Sequence, residues 1–301
     1  MLIVAALGGN ALLRRGEKLA AQIQQHHVVD AVAQLAKLCT GNELIVTHGN
    51  GPQVGLLALE SANDPELERP YPFDVLGAQT QGMIGYWLLQ ALTNAVPSRE
   101  SVAMVTQTLV DVNDPAFTHP TKFVGHGYGE VEAQALAASN GWSVARDGAL
   151  WRRVVASPEP REIIEGPVIE RLARRGTIVV GVGGGGVPVA REDGTLRGID
   201  AVIDKDLATA LLAISVGADL MVLVTDVAGV IDGFATPDAR VLSTVTVAQL
   251  RSRTFAPGSM GPKVESACRF VEATGRRAVI GALDDVLGLV EGTSGTSVVA
   301  H

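Results

Sequence analysis

Cysteine is close to absent: Cys39 and Cys268 are the only two in 301 residues. That excludes a disulfide scaffold and any paired-cysteine metal or redox centre, and since each falls inside an apolar helical pattern, both read as small core residues. Aromatics are also scarce, 4% against 47% apolar residues overall. The core must therefore be built from Val, Ile, Leu and Ala, which pack helices closely over a parallel sheet. Positive charge is not in excess; the formal net charge of −8 argues against a nucleic acid partner, whose phosphates favour a basic face. Long hydrophobic runs are missing as well. The opening MLIVAALGGNALL has no basic segment and is broken by Gly8-Gly9-Asn10 short of signal-peptide or membrane-span length, so the expectation is a soluble, cytoplasmic chain with no membrane partner.

What is present is an alternation. Apolar, strand-like runs end repeatedly in glycine or polar clusters: LIVAAL in GGN, ELIVT in HGNG, TIVVGV in GGGG and LMVLVT in Asp226. Helical spacing follows, over residues 17–39 through Leu19, Ile23, Val28, Val32, Leu35 and Leu38, and over 73–94 through Val75, Ile84, Leu88 and Leu92. This predicts βα units in a parallel sheet with helices on both faces. The polar clusters then share the carboxyl edge, where such sheets bind ligands. Residues 112–160 break the rhythm with DVNDPAFTHPTKFVGHGYG and a hairpin pattern around Asp147-Gly148. The alternation resumes near residue 163, so this reads as a lid-like insertion within one domain.

Two lysines sit where helix electrostatics disfavours them. In AVIDKDLATALLA, Asp204 is a good N-cap for a helix buried through Leu207, Leu211 and Leu212. Lys205 then falls in the first turn beside the positive end of the macrodipole, typically losing ~0.3–1 kcal/mol unless an anion compensates. Lys263, in FAPGSMGPKVESACRFVEATG, repeats the pattern, with Pro262 suited to the first helical position and Gly275 to the helix end. Glycine runs at Gly8-Gly9, Gly49-Asn50-Gly51 and Gly183 to Gly186 allow backbone amides to approach an anion. No GxGxxG with a following acid and no GxxxxGK[ST] occurs, which withdraws support from a nicotinamide site and a P-loop. Three lysines, counting Lys122 in HPTKFVG, together with glycine-loop amides suit a polyphosphate and a phosphoryl group in transfer. Asp206 would direct two of the lysines and keep them protonated. Asp226 is left open between a ribose hydroxyl, a metal-bound water and no ligand, and His48 reads as a hydrogen-bonded structural group.

Taken together and in order, ALGGNALL, THGNGPQVG, LGAQTQGMIGYWL, NDPAFTHPTKFVG, RRVVASPEP, GGGGVPV, AVIDKDLATALLA, LVTDV and FAPGSMGPKVESACRFVE resemble carbamate kinases, within the amino-acid kinase superfamily. The resemblance spans essentially the whole chain. It implies a three-layer αβα sandwich with a mainly parallel sheet and a protruding lid, and usually a homodimer. It also implies a carbamate-binding N-terminal lobe over residues 1–200, with 112–160 as the lid, and a nucleotide-binding C-terminal lobe over 201–301.

The implied reaction is reversible phosphoryl transfer between ATP and carbamate, with Mg²⁺ bridging the nucleotide phosphates. Position by position, Gly8, Gly9, Asn10, Gly49, Asn50 and Gly51 resemble the cradle for carbamate and the moving phosphoryl group. Lys205 resembles the lysine that holds that group, and Lys263 the one that reaches the nucleotide phosphates. Asp206 then organises the lysines, and Lys122 is the cation brought in by the lid. Thr225, Asp226, Val227, Met260 and Gly261 fall at nucleotide-binding positions. The chain departs from the family at Ile231, where a tyrosine is common beside the nucleotide, and in the lid, where FVGHGYGE replaces a PIGPFYxEE-like pattern. Two alternatives accompany the carbamate kinase expectation: a related kinase forming an acyl phosphate on another small acid, and a non-catalytic nucleotide- or carbamoyl phosphate-binding homologue.

Overall fold

The computed structural model of the protein describes residues 1–14, 16–234, 236, 238–255 and 260–301, with the backbone alone at residue 10. Along the chain, β1 (Leu2–Leu7) leads through a short turn of 3-10 helix at Gly9–Ala11 to α1 (Ala21–Leu38), and β2 (Glu43–His48) leads to α2 (Gly51–Asn63) and α3 (Phe73–Ala95). After β3 (Ser101–Ala103) and β4 (Gln107–Leu109) comes the excursion, with β5 (Lys122–Tyr128), α4 (Glu130–Asn140), β6 (Ser143–Asp147) and β7 (Leu150–Val155). The chain returns through β8 (Glu162–Ile163), α5 (Gly166–Ala173), β9 (Ile178–Val180), β10 (Val187–Glu192) and β11 (Thr195–Gly198). The last third holds α6 (Lys205–Ser215), β12 (Leu220–Thr225), β13 (Ile231–Asp232), β14 (Arg240–Val241), β15 (Thr244–Thr246), α7 (Val247–Arg251), α8 (Met260–Thr274), β16 (Ala278–Ala282), α9 (Val286–Glu291) and β17 (Thr296–Val299).

An eight-stranded sheet runs β15-β17-β16-β12-β1-β2-β9-β3. Its pairs are parallel from β16 through to β3, while β17 is antiparallel to β16 and carries β15 with it. The pleat sorts β1 onto two faces. Leu2, Val4 and Ala6 join one apolar layer with Ile169 of α5, Leu212 of α6 and Phe270 of α8, all buried. Ile3, Ala5 and Leu7 join the other with Leu35 of α1, Leu88 of α3 and Leu289 of α9. The architecture is the expected three-layer αβα sandwich with a mainly parallel sheet.

The excursion forms its own three-stranded antiparallel sheet, β5-β7-β6, with the expected turn closing between Asp147 and Leu150. It lies against α2 at an unusually close approach: a Cβ on Gly55 would fall 2.3 Å from the Gly125 Cα. Two boundaries differ from the sequence reading. Leu19 precedes α1 and is exposed, and Pro262 is the third residue of α8 rather than its first. A proline there is tolerated because first-turn amides have no intrahelical acceptor to lose.

Candidate functional site

Parallel strands deliver their carboxyl ends to one edge of the sheet, and the polar clusters after β1, β2, β9 and β12 gather there. They approach one another closely. A Cβ on Gly49 would lie 3.1 Å from the Gly9 amide nitrogen, and one on Gly8 would lie 3.1 Å from the Val224 carbonyl oxygen at the end of β12. The third loop, Gly183 to Gly186, closes over the second. A Cβ on Gly183 would meet the His48 ring at 2.4 Å, and one on Gly184 the Asn50 amide at 2.2 Å. On its other side, Gly185 abuts the Ile203 carbonyl, two residues before Lys205. The loops and the start of α6 are thus one contiguous structure.

Asp204 caps α6 as expected, its Oδ1 accepting from the amides of Asp206 at 2.9 Å and Leu207 at 3.2 Å. Lys205 and Asp206 are both buried. The Lys205 ammonium donates to Asp206 Oδ1 at 2.5 Å, and Lys263, arriving from the first turn of α8, donates to Asp206 Oδ2 at 3.1 Å. One carboxylate therefore bridges two ammonium groups. Burial alone would raise the Asp206 acid, but the two lysines overcome it and hold it well below the usual carboxylate range. Burial pulls the Lys205 ammonium down from its ordinary value while Asp206 pulls it back up. The attraction of the two ammonium groups keeps the Asp206 carboxylate ionised. Lys122 is the first residue of β5, and its Nζ donates to Asp204 Oδ2 at 2.6 Å.

Of the remaining expected residues, Thr225 ends β12, with Asp226 and Val227 directly after it, and the Thr225 hydroxyl donates to Asp226 Oδ1 at 3.3 Å. Met260 and Gly261 share the first turn of α8 with Lys263. Residues 256–259 of the FAPGSMGPK motif and the Asn10 side chain lie outside the described structure. Ile231 opens the short strand β13 and is half-buried.

Several supporting groups escaped the sequence reading. Asn50 donates to Thr80 Oγ1 at 2.8 Å, and Thr80 donates onward to the Gly77 carbonyl at 2.8 Å. Gln81 accepts from the Thr106 amide at 2.9 Å and donates to its carbonyl, while the Thr106 hydroxyl accepts from the Val182 amide at 2.8 Å. Buried Thr80 and Gln81 interrupt the apolar stripe of α3 within LGAQTQGM, and that polar break was the available signal.

The fold and its glycine-lined, lysine-bearing edge define the class: the amino acid kinase family model matches residues 1–282. Within it, the chain is 49% identical over 301 residues to the carbamate kinase of Rhizobium meliloti, covering 98% of this chain and 92% of that one. It is 47% identical to the carbamate kinase of Haemophilus influenzae, covering 99% and 96%. The solved structure of the Giardia lamblia carbamate kinase bound to AMP-PNP superposes with a TM-score of 0.91 at 40% identity, covering 100% and 98% of the two chains. The chain belongs to the carbamate kinase family.

Proposed function

We propose that this protein is a carbamate kinase, transferring a phosphoryl group reversibly between ATP and carbamate, so that ADP and carbamoyl phosphate give ATP and carbamate. The observation that carries this reading is the buried Lys205–Asp206–Lys263 bridge set beside three glycine loops at one sheet edge. Phosphoryl transfer needs little covalent help from a protein; it needs in-line positioning and neutralisation of the charge spread over the equatorial oxygens. Fixed ammonium groups in a water-poor site supply that without reorganising at the moment of reaction.

In this mechanism Gly8, Gly9, Asn10, Gly49, Asn50 and Gly51 cradle carbamate and the phosphoryl group, through backbone amides and the Asn50 side chain. Lys205 follows the phosphoryl group between donor and acceptor, and Lys263 neutralises the nucleotide phosphates. Asp206 keeps both lysines charged and aimed, and Lys122 adds a third cation from the lid. Thr225, Asp226, Val227, Met260 and Gly261 line the nucleotide. Mg²⁺ enters as the nucleotide's own complex. Among the described residues no group of three or more His, Cys, Asp or Glu is placed to hold an ion.

Two finer readings belong with this one. The working unit is a homodimer, for which Val29 and Tyr86, more than half exposed on the neighbouring helices α1 and α3, offer apolar surface. The cellular setting is the cytoplasm.

The test is ATP formation from carbamoyl phosphate and Mg-ADP, with only ATP counted because carbamoyl phosphate decomposes unaided. The intact protein should make ATP, and Lys205→Ala and Lys263→Ala should each lose about 10²–10³-fold in kcat while remaining folded by circular dichroism. A protein that binds nucleotide yet makes no ATP from carbamoyl phosphate, or does so only from another acyl phosphate, would overturn the carbamate assignment.

A further inference from the structure

The cap at the start of α6 uses only one of the two oxygens of Asp204. Oδ1 accepts from both first-turn amides, a task that serine, threonine or asparagine performs comparably. Oδ2 instead accepts from Lys122 at 2.6 Å, across 82 positions of sequence. A second oxygen and a full charge are what aspartate adds over the other capping residues, and here both are spent on the lid. The pair is sheltered, with side chains 30% and 15% exposed, so solvent and salt screen it less than an open surface pair.

A separate bond fastens the same place. The Val202 amide donates to the Ala156 carbonyl at 2.9 Å, one residue beyond the end of β7. Lys122 itself pairs with Val155 across the β5–β7 ladder. Both strands at the root of the lid sheet are therefore tied to residues 202–204, immediately before Lys205.

We infer that Asp204 is a positioning residue: one oxygen fixes the start of α6, and the other holds Lys122, and with it the lid root, beside Lys205 before substrate arrives. An ammonium group has three donors, so Lys122 keeps Asp204 while offering another N–H to a phosphate oxygen. The local charge balance argues the same way. Lys122, Lys205 and Lys263 face Asp204 and Asp206, and removing the Asp204 charge leaves three cations against one carboxylate. The repulsion then falls on the lid lysine, because the other two stay on Asp206. Which substrate meets Lys122 rests on the carbamate kinase reading; the latch itself does not.

The experiment uses the full chain. Asp204→Asn retains a good cap and removes the charge, and Lys122→Met removes the partner. Hydrogen exchange of the free protein should be about tenfold faster at residues 122–128 and 150–155 in either variant and no faster in the double variant, with the α6 amides still protected. With carbamoyl phosphate and Mg-ADP, Asp204→Asn should raise KM for carbamoyl phosphate about fivefold with kcat within about twofold, and add nothing in the Lys122→Met background. Lid exchange unchanged in Asp204→Asn would overturn the latch even if the enzyme is fully active. Loosening of α6 together with the lid would also overturn it, reducing Asp204 to a cap. A protein with no activity but with the expected exchange pattern would retain the latch and reject the function.

Discussion

His48 is fully buried at the end of β2, and its Nδ1 lies 3.0 Å from the Gly49 carbonyl. A carbonyl only accepts, so Nδ1 carries the proton and the neutral ring has a bare Nε2 against Gly183. Burial drives the imidazolium pKa down to about 4, helped by the Lys205 charge and opposed by the Gly49 bond. The unfolded ring titrates near 6.5 and the folded ring near 4, so between those values the unfolded state binds more protons. Stability therefore falls as the solution is acidified through that window. From pH 7 to pH 5 this one group removes about 2 kcal/mol. Asp206 has the opposite chemistry in a different window: its folded-state pKa is depressed, so its contribution is present above the ordinary carboxylate pKa and is lost only below about pH 4. Urea midpoints at pH 7 and pH 5 separate the two. The wild-type loss in that interval should shrink by most of 2 kcal/mol in His48→Gln, and an unchanged loss would mean that His48 is not held neutral.

The glycine loops and the lid root are where element geometry is tightest. Val182, two residues past β9 and just before the 3-10 turn at Gly183–Gly185, has φ of 51°, a conformation costly for a β-branched residue. It is held there by the Thr106 hydroxyl on its amide and by full burial. Gly55 is the plainer case, because a Cβ would lie 2.3 and 2.4 Å from backbone atoms of Gly125 on β5. Backbone cannot rotate away, so Gly55→Ala must push β5 off α2 and carry Lys122 with it. Displacement of about 1 Å at such a distance from the chemistry can cost 10²-fold. Gly55→Ala is thus expected to lower kcat/KM by about that factor and to lower stability by about 1–3 kcal/mol, read from the urea midpoint, because Val54 and Ala58 of α2 share a buried cluster with Val124 of β5 and Val155 of β7; wild-type activity would show that the close approach has no catalytic consequence. The βα alternation was legible because each strand ends in its own polar cluster, and the two misplaced lysines were legible because a helix dipole acts within one turn. Asp204 to Lys122 was not, because a capping sequence is complete without a partner 82 residues away. Nor was the reversal of β17 and β15, whose short apolar runs look alike in either direction.

At the scale of the whole molecule, the division between residues 1–200 and 201–301 is proposed as one of ligand binding, and the packing does not repeat it. β1 from the first part pairs directly with β12 from the second, and a single apolar layer contains Leu2, Ile45, Phe270 and Ile280 together. One further tie crosses the same line and is anchored on each side of it. Arg269 of α8 pairs with Glu159, near the end of the 112–160 excursion, and the Glu159 amide donates to Asp114 Oδ2 at 2.9 Å, near its start. Arg269 also reaches Glu265, which pairs with Arg251 of α7. A sheet shared in this way has no seam at which half of it can melt while the other half keeps its core. Calorimetry should therefore give one cooperative transition. Mg-ADP, whose proposed contacts are mostly in the second part, should move the whole of that transition upward, by the equivalent of about 2.7 kcal/mol at a hundred times its dissociation constant. Two resolved transitions, with only one displaced by nucleotide, would mean that the two parts fold as separate units and that the pairing of β1 with β12 is too weak to join them.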